Sequence, residues 1–368
     1  MNHTHYDVVV VGGGVAGMEV AYSLSQMNIK VLLIEKKSTL GGNVATLACM
    51  ATKKCGKCSA CLAKEYIAKI SYNSNIDIMM HTRITKVKEE NNLKTIYLSP
   101  EYGNGNGAMH QQLKEETSVQ TEIVALATGF QPFNAKDDRL LGYGHFRQVI
   151  TTKDLNDLLK KDTNLKLISE KENFRIAFIQ CVGSRDKQKG HNYCSQYCCA
   201  TSMRLVQRLK HLCNSIEICV YYIDLQIMGK EFRTYYEQTK NFTTFKQGVP
   251  VEIKAGTNDE TVRLVGVNEE TGLGEEEEYD MVVLAIGIVP DKRNQKLFKM
   301  FGLENNESGF INNNIDELAK RGLFVAGTCS GPADIQTSIL RASACAGQIA
   351  RKLYSQNLGI SNTAEIGA

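Results

Sequence analysis

Short, strictly apolar runs recur along this chain, and each gives way to glycine or another small residue. The stretch "DVVVVGGGVAGMEVAYSLSQMNIKVLLIEKK" reads as a strand at Val8–Val11, a glycine turn, a helix and a second strand. Continuous apolar runs of this kind belong to strands covered on both faces, as in parallel sheets flanked by helices. The strand-then-glycine signature returns in "TEIVALATGFQPF" (121–133) and "YDMVVLAIGIVPD" (279–291). In "NFRIAFIQCVGSRDKQKGHNYCSQYCCATSMRLVQRLKHL" the pattern predicts a strand over 175–180, a cysteine-bearing loop and a helix over about 195–212. The strand "SIEICVYYIDL" follows. Residues 89–116, "EENNLKTIYLSPEYGNGNGAMHQQLKEE", are polar and predict strands around a loose Gly/Asn loop. Strands alternating with helices make this an α/β chain.

Gly12, Gly14 and Gly17 form G-x-G-x-x-G directly after the first apolar strand. In such a turn the first glycine permits the sharp bend and the second lets the backbone approach a pyrophosphate. The third lets helix and strand touch. The helix, already under way at Ala16, points its N-terminus at the phosphates. Glu35 ends the second strand about 20 residues on, where a carboxylate can hold ribose hydroxyls, and Lys36 adjoins it.

That motif alone serves FAD and NAD equally. The "ALATGF" and "LAIGIVPD" turns, however, resemble those of two-dinucleotide-binding-domain flavoproteins such as thioredoxin reductase. "RGLFVAGTCSGPADIQTSILRASACAGQIARKL" resembles the segment that closes over the flavin there. The resemblance implies FAD, contacted further by Gly42 and Asn43 of "LGGN", by Thr128 and Gly129, and by Gly327, Thr328, Asp334 and Ile335. One position departs: Cys329 stands where that superfamily has a ribityl-binding aspartate, and Asp334 is the nearby carboxylate.

Flavoproteins of this layout carry a second strand–glycine–helix unit for NAD(P)H. Here only Gly183 of its turn survives, so the middle domain is expected to keep the fold without conventional nicotinamide binding. The expected layout is a discontinuous FAD-binding domain, 1–150 and 290–368, and a middle domain, 151–289.

A net charge of +3 without concentrated basic patches argues against a nucleic-acid partner. No apolar run approaches the ~20 residues of a membrane span, and the first one reads as a strand, not a signal peptide. A cytoplasmic location is therefore expected. Twelve cysteines in such a chain point to metal or redox chemistry. Cys213, Cys219 and Cys345 sit singly in apolar surroundings and are expected in the core.

Apart from Cys329, the others fall in two groups. Cys181, Cys194, Cys198 and Cys199 follow C-x12-C-x3-C-C, where the lost nucleotide turn should be. Four thiols on one loop suit an iron–sulfur cluster. Zinc, a redox dithiol and grouped core cysteines are the alternatives. Cys49, Cys55, Cys58 and Cys61 follow C-x5-C-x2-C-x2-C, whose core is the spacing ferredoxins use for three ligands of one cubane. A second cluster is expected there, with zinc or reactive thiols as alternatives.

"CVGSRDKQKGHNYCSQYCC", "GLFVAGTCSGPADI" and "VVGGGVAGMEVA" together resemble the A-type flavin subunit of heterodisulfide reductase over essentially the whole chain. The resemblance implies a [4Fe-4S] cluster on Cys181, Cys194, Cys198 and Cys199 beside the FAD. It also implies self-association as a dimer and partner subunits bearing a thiol/disulfide site and a ferredoxin-type relay. The compact length is similar to the flavin subunit of the heterodisulfide reductase-like complex of sulfur-oxidising microbes. The expected function is electron transfer between flavin and clusters. The alternatives are a stand-alone flavin dithiol oxidoreductase acting through Cys198 and Cys199, and an assembly subunit with structural cofactors. Lys230 receives no role.

Overall fold

Val8–Val11 forms the centre of a six-stranded parallel sheet because all four of its valines are buried from both faces. The structure is a computed structural model. It describes residues 4–49, 59–101, 111–112, 115–161, 168, 171–226, 230–267, 272–312 and 314–357. The chain divides into two units, one of Met1–Ala45, Leu62–Phe130 and Pro290–Ala368 and one of Thr46–Cys61 and Gln131–Val289.

In the first unit the strand order is Leu323–Val325, Ile123–Leu126, Val8–Val11, Val31–Ile34, Ile76–Met80, Gln111–Gln112, all parallel. The order runs one way from Val8–Val11 and the other way from Ile123–Leu126. Such a reversal opens a crevice at the strands' carboxyl ends, where ligands of doubly wound sheets bind. Helices Val15–Ser25 and Ile335–Asn357 pack on one another.

A four-stranded sheet adds Thr4–His5, Thr117–Thr121, Leu93–Pro100 and Thr82–Glu90, so the expected strands of the polar stretch exist. Residues 102–110 of its Gly/Asn loop lie outside the described residues. Lys94, fully buried, pins this sheet. Its Nζ donates to the carbonyls of Asn92 (3.2 Å), Glu122 (3.1 Å) and Arg321 (2.6 Å) and pairs with Glu89 at 3.3 Å. Lys94→Met would strand three acceptors and a carboxylate. A loss of about 3 kcal/mol or more is expected in denaturant unfolding.

The second unit holds a five-stranded parallel sheet in the order Val149–Thr151, Met281–Ile286, Arg175–Val182, Glu217–Tyr222, Thr244–Gln247. Ile176 and Phe178 pack with Met203, Val206 and Leu209 of the helix Cys198–Leu212. Ala177 and Ile179 pack on the opposite face with Val262 and Leu264 of an antiparallel three-stranded sheet.

Two expectations shift. Residues 131–150 belong with this unit, because Gln131–Pro132 pairs with Ile288–Val289 and Val149–Thr151 with Met281–Ile286. The helix begins at Cys198, three residues later than expected. Ser195 is held outside it by bonds from its N–H to Ser184 Oγ and to its Oγ from the Ile288 N–H, and Gln196 takes φ +63°. No helix among the described residues is long and apolar enough to cross a membrane.

Candidate functional site

The glycine turn of the first unit is shaped by three different demands. Gly12 adopts φ +109°, and a Cβ there would lie 2.5 Å from the Ala127 carbonyl oxygen. A Cβ on Gly17 would lie 1.9 Å from the Gly12 oxygen, so helix and strand touch through it. Gly14 is unlike both: its φ is −74°, and a Cβ there would meet nothing within 4 Å. Its ground is open, as approach by a ligand backbone or phosphate requires.

Around this turn, Glu35 is buried and its carboxylate is clamped by two main-chain donors, Gly13 N–H at 2.7 Å and Lys37 N–H at 2.8 Å. The reach of Glu35 back to the glycine turn was not evident in the sequence. Lys36 lies 3.4 Å from Asn294 Oδ1 and 3.7 Å from Asp291. Asn43 Nδ2 donates to the Phe130 carbonyl at 3.2 Å, and a Cβ on Gly42 would lie 3.1 Å from Gly14 Cα. A Cβ on Gly327 would lie 2.6 Å from that of Ala16, which brings the "AGTCSG" turn and the buried Thr328 against the helix start. Gly129 takes φ +72°.

Thr128 Oγ1 is buried without a hydrogen-bond partner among the described residues. An orphaned hydroxyl, an open glycine and a fixed carboxylate fit a dinucleotide rich in hydroxyls and phosphates. Asp334 has one oxygen engaged as the cap of the helix Ile335–Asn357, accepting from Thr337 N–H at 2.7 Å. Cys329 turns its thiol into the sheet, towards the carbonyls of Leu126 (3.3 Å) and Ala326 (3.2 Å). Its thiol is thus already committed to the main chain.

In the second unit the strand order likewise reverses at Arg175–Val182, and the cysteine loop leaves from that carboxyl end. Gly183 survives for packing: a Cβ there would lie 2.0 Å from Cγ of Phe133, whose ring lies directly against this turn. A chain of main-chain bonds folds the loop back. Ser184 N–H bonds the Cys181 carbonyl (3.0 Å), Arg185 N–H the Tyr193 carbonyl (3.0 Å), and Asp186 and His191 bond each other in both directions (2.9 Å). Lys189 cross-links Asp138 (2.7 Å) and Asp186 (2.8 Å). The twelve intervening residues therefore return Cys194 towards Cys181.

Cys181 takes φ +64° where the strand pairing slips, a conformation costing on the order of 1–3 kcal/mol for a non-glycine residue. All four thiols lie within electrostatic reach of one another. Burial, reinforced by the neighbouring thiols, pushes Cys181 up to about 12 and Cys198 well above the ordinary thiol value. Burial likewise raises Cys199. The Arg185 guanidinium, paired to Asp224, acts in the opposite sense on Cys181. Sequence reasoning missed Arg185 and Asp224, although "GSRD" places the arginine inside the motif.

Among the described residues no three Cys, His or acidic side chains converge as a single-ion site does. A cubane sets a different demand, since each thiolate takes its own iron and the sulfurs surround the group instead of meeting at a point. Next to the ligand positions, Gln180 and Ser202 are fully buried, and their polar side-chain atoms have no hydrogen-bond partner among the described residues. The donor chemistry of these atoms fits an added group that accepts hydrogen bonds.

Residues 6–169 match the family model for pyridine nucleotide-disulphide oxidoreductases. Thioredoxin reductase from Lactococcus lactis shares the fold, with a TM-score of 0.57 at 17% identity, covering 96% of this chain and all of that one. The enzyme from T. acidophilum scores 0.56 at 16% identity, with 97% of this chain covered and again all of the other. Over 93% of its length the chain is 27% identical to the A-type subunit of the H(2):CoB-CoM heterodisulfide,ferredoxin reductase of Methanothermobacter thermautotrophicus. It shares 27% over 96% with the second A-type iron-sulfur subunit of the CoB--CoM heterodisulfide reductase of Methanopyrus kandleri. The chain is thus similar over nearly its whole length to A-type subunits of heterodisulfide reductases.

It spans 63% and 65% of the length of those two relatives. Its class is that of an oxidoreductase built on a flavoprotein fold. The second cysteine group is only partly visible. Cys55 and Cys58 lie outside the described residues, and Cys49 and Cys61 are exposed. The segment nevertheless has a buried anchor. Ala48 N–H donates to Asn156 Oδ1 (3.0 Å), which also accepts from Arg204 of the cysteine helix (3.2 Å). Neither Asn156 nor Arg204 carried a sequence signal, because each looks like a surface residue of an amphipathic helix. Of the expected core cysteines, Cys219 and Cys345 are buried, whereas Cys213 is only partly so, beside Ser215 at the helix end.

Proposed function

We propose that this chain is an electron-transfer flavoprotein of the heterodisulfide reductase A type. FAD would lie on Gly12, Gly14, Glu35 and Thr128, and one [4Fe-4S] cluster on Cys181, Cys194, Cys198 and Cys199. The observation that supports it is the cysteine loop, which gathers four thiols at a strand-order reversal with Phe133 packed against Gly183. When bound, FAD exchanges electrons in pairs and the cluster passes them singly, so the chain links two-electron to one-electron chemistry. Its own residues bind and orient both groups and keep water from Cys198 and Cys199.

The relatives' names call them reductase subunits. The reading here is accordingly one component of a heterodisulfide reductase-like complex, self-associated as a dimer. Its partners are a subunit with a thiol/disulfide site and a ferredoxin-type relay. A cytoplasmic place in sulfur oxidation is part of the same reading. A dithiol enzyme working through Cys198 and Cys199 is disfavoured, since both thiols are buried and burial holds them protonated.

Iron and acid-labile sulfide per FAD, measured on anaerobically purified protein with EPR before and after dithionite, tests this. About four irons per flavin are expected if the cysteine loop alone is loaded, and about eight if Cys49, Cys55, Cys58 and Cys61 hold a second cubane. Flavin without iron would return the case to dithiol chemistry.

A further inference from the structure

We infer that Gln180 and Ser202 are hydrogen-bond donors to the sulfur atoms of the cluster on Cys181, Cys194, Cys198 and Cys199, and that they set its potential. The inference rests on the cluster reading above. Gln180 is 1% exposed, and neither its Oε1 nor its Nε2 has a hydrogen-bond partner among the described residues. It immediately precedes Cys181 and continues the register of Ile176 and Phe178, whose side chains pack against the cysteine helix.

Ser202 is fully buried on that helix, and its Oγ is likewise unpartnered among the described residues. It lies four residues after Cys198 and so shares its face. A helical serine normally satisfies its hydroxyl on the carbonyl one turn back. This one does not.

Buried polar groups without partners are scarce because each loses its hydration for nothing in return. Here they gather one residue from one ligand position and one turn from another. What would satisfy them must accept hydrogen bonds within a space closed to bulk water. Cluster sulfides and cysteine thiolates accept and never donate, and both side chains carry donors. Hydrogen bonds to the sulfurs stabilise the added electron and are among the determinants of cluster potential. Gln180 and Ser202 are thus positioning and tuning residues, not ligands.

The test is an EPR-monitored redox titration of the full chain with its cofactors, comparing wild type, Gln180→Met and Ser202→Ala. Each variant is expected to keep wild-type iron and FAD while its midpoint falls. For Gln180→Met the fall should be about a tenfold shift in the one-electron equilibrium, which is 59 mV. A structural role would leave the midpoint unmoved. Unchanged midpoints in both iron-loaded variants overturn the inference and leave the cluster reading intact, whereas wild-type protein without iron overturns that reading itself. If Gln180→Met fails to hold iron, Ser202→Ala and the melting of iron-free protein decide. An amide with no partner in the iron-free state makes iron-free Gln180→Met melt higher than iron-free wild type; a lower melting temperature means the amide is satisfied structurally and overturns the proposal.

Discussion

Gly14→Ala is expected to give a folded protein that carries no FAD, whereas Gly17→Ala is expected to lose both FAD and stability. The difference follows from where each added methyl would go. At Gly14 the backbone already has an ordinary φ of −74° and a Cβ would meet nothing within 4 Å. Its methyl therefore obstructs only a ligand. At Gly17 the Cβ would sit 1.9 Å from the Gly12 oxygen and 3.3 Å from Ala127 Cβ. Helix Val15–Ser25 would have to leave the sheet, at a cost of about 3 kcal/mol or more. Flavin absorbance of the purified proteins, read beside their thermal unfolding, separates the two. A yellow Gly14→Ala protein would mean that the ligand does not approach this turn.

The second large effect is expected at the cysteine helix. Cys198→Ala combined with Cys199→Ala should remove about four irons per flavin and the associated EPR signal, with FAD occupancy unchanged. Retention follows because every residue assigned to FAD belongs to the first unit and the four cysteines to the second. Iron assay and flavin quantification on one preparation check both halves. Iron at the wild-type level would show that the ligand set is wrong; loss of both groups would show that the two sites are not independent.

Much of this architecture was readable from the chain. The apolar runs at Val8–Val11, 123–126 and 281–286 specified parallel strands, because four or more consecutive apolar residues have no solvent face to offer. Gly12, Gly14 and Gly17 likewise announced a nucleotide turn, since each removes a Cβ that one physical demand forbids. What escaped was set by long-range contacts. The covering of Gly183 by Phe133 joins residues 50 positions apart, and the bond of Glu35 to Gly13 joins residues 22 apart. The boundary at 131 depends on a two-residue strand, Gln131–Pro132, too short to show a period. Asn156 and Arg204 gain meaning only once Ala48 is seen between them.

The cysteine loop owes its shape chiefly to main-chain hydrogen bonds and to Lys189, and a thiol takes part where the Gln196 N–H donates to Cys194 Sγ at 3.3 Å. Much of its conformation is thus specified by the chain's own polar groups. Structural zinc modules work the other way, since there the metal supplies the folding free energy. If the loop holds a cluster, synthesis and cofactor loading are expected to be separable events, with a metal-free form that folds and is charged afterwards. Iron starvation would therefore leave a reservoir of intact, colour-poor precursor and not a pool of unfolded chains.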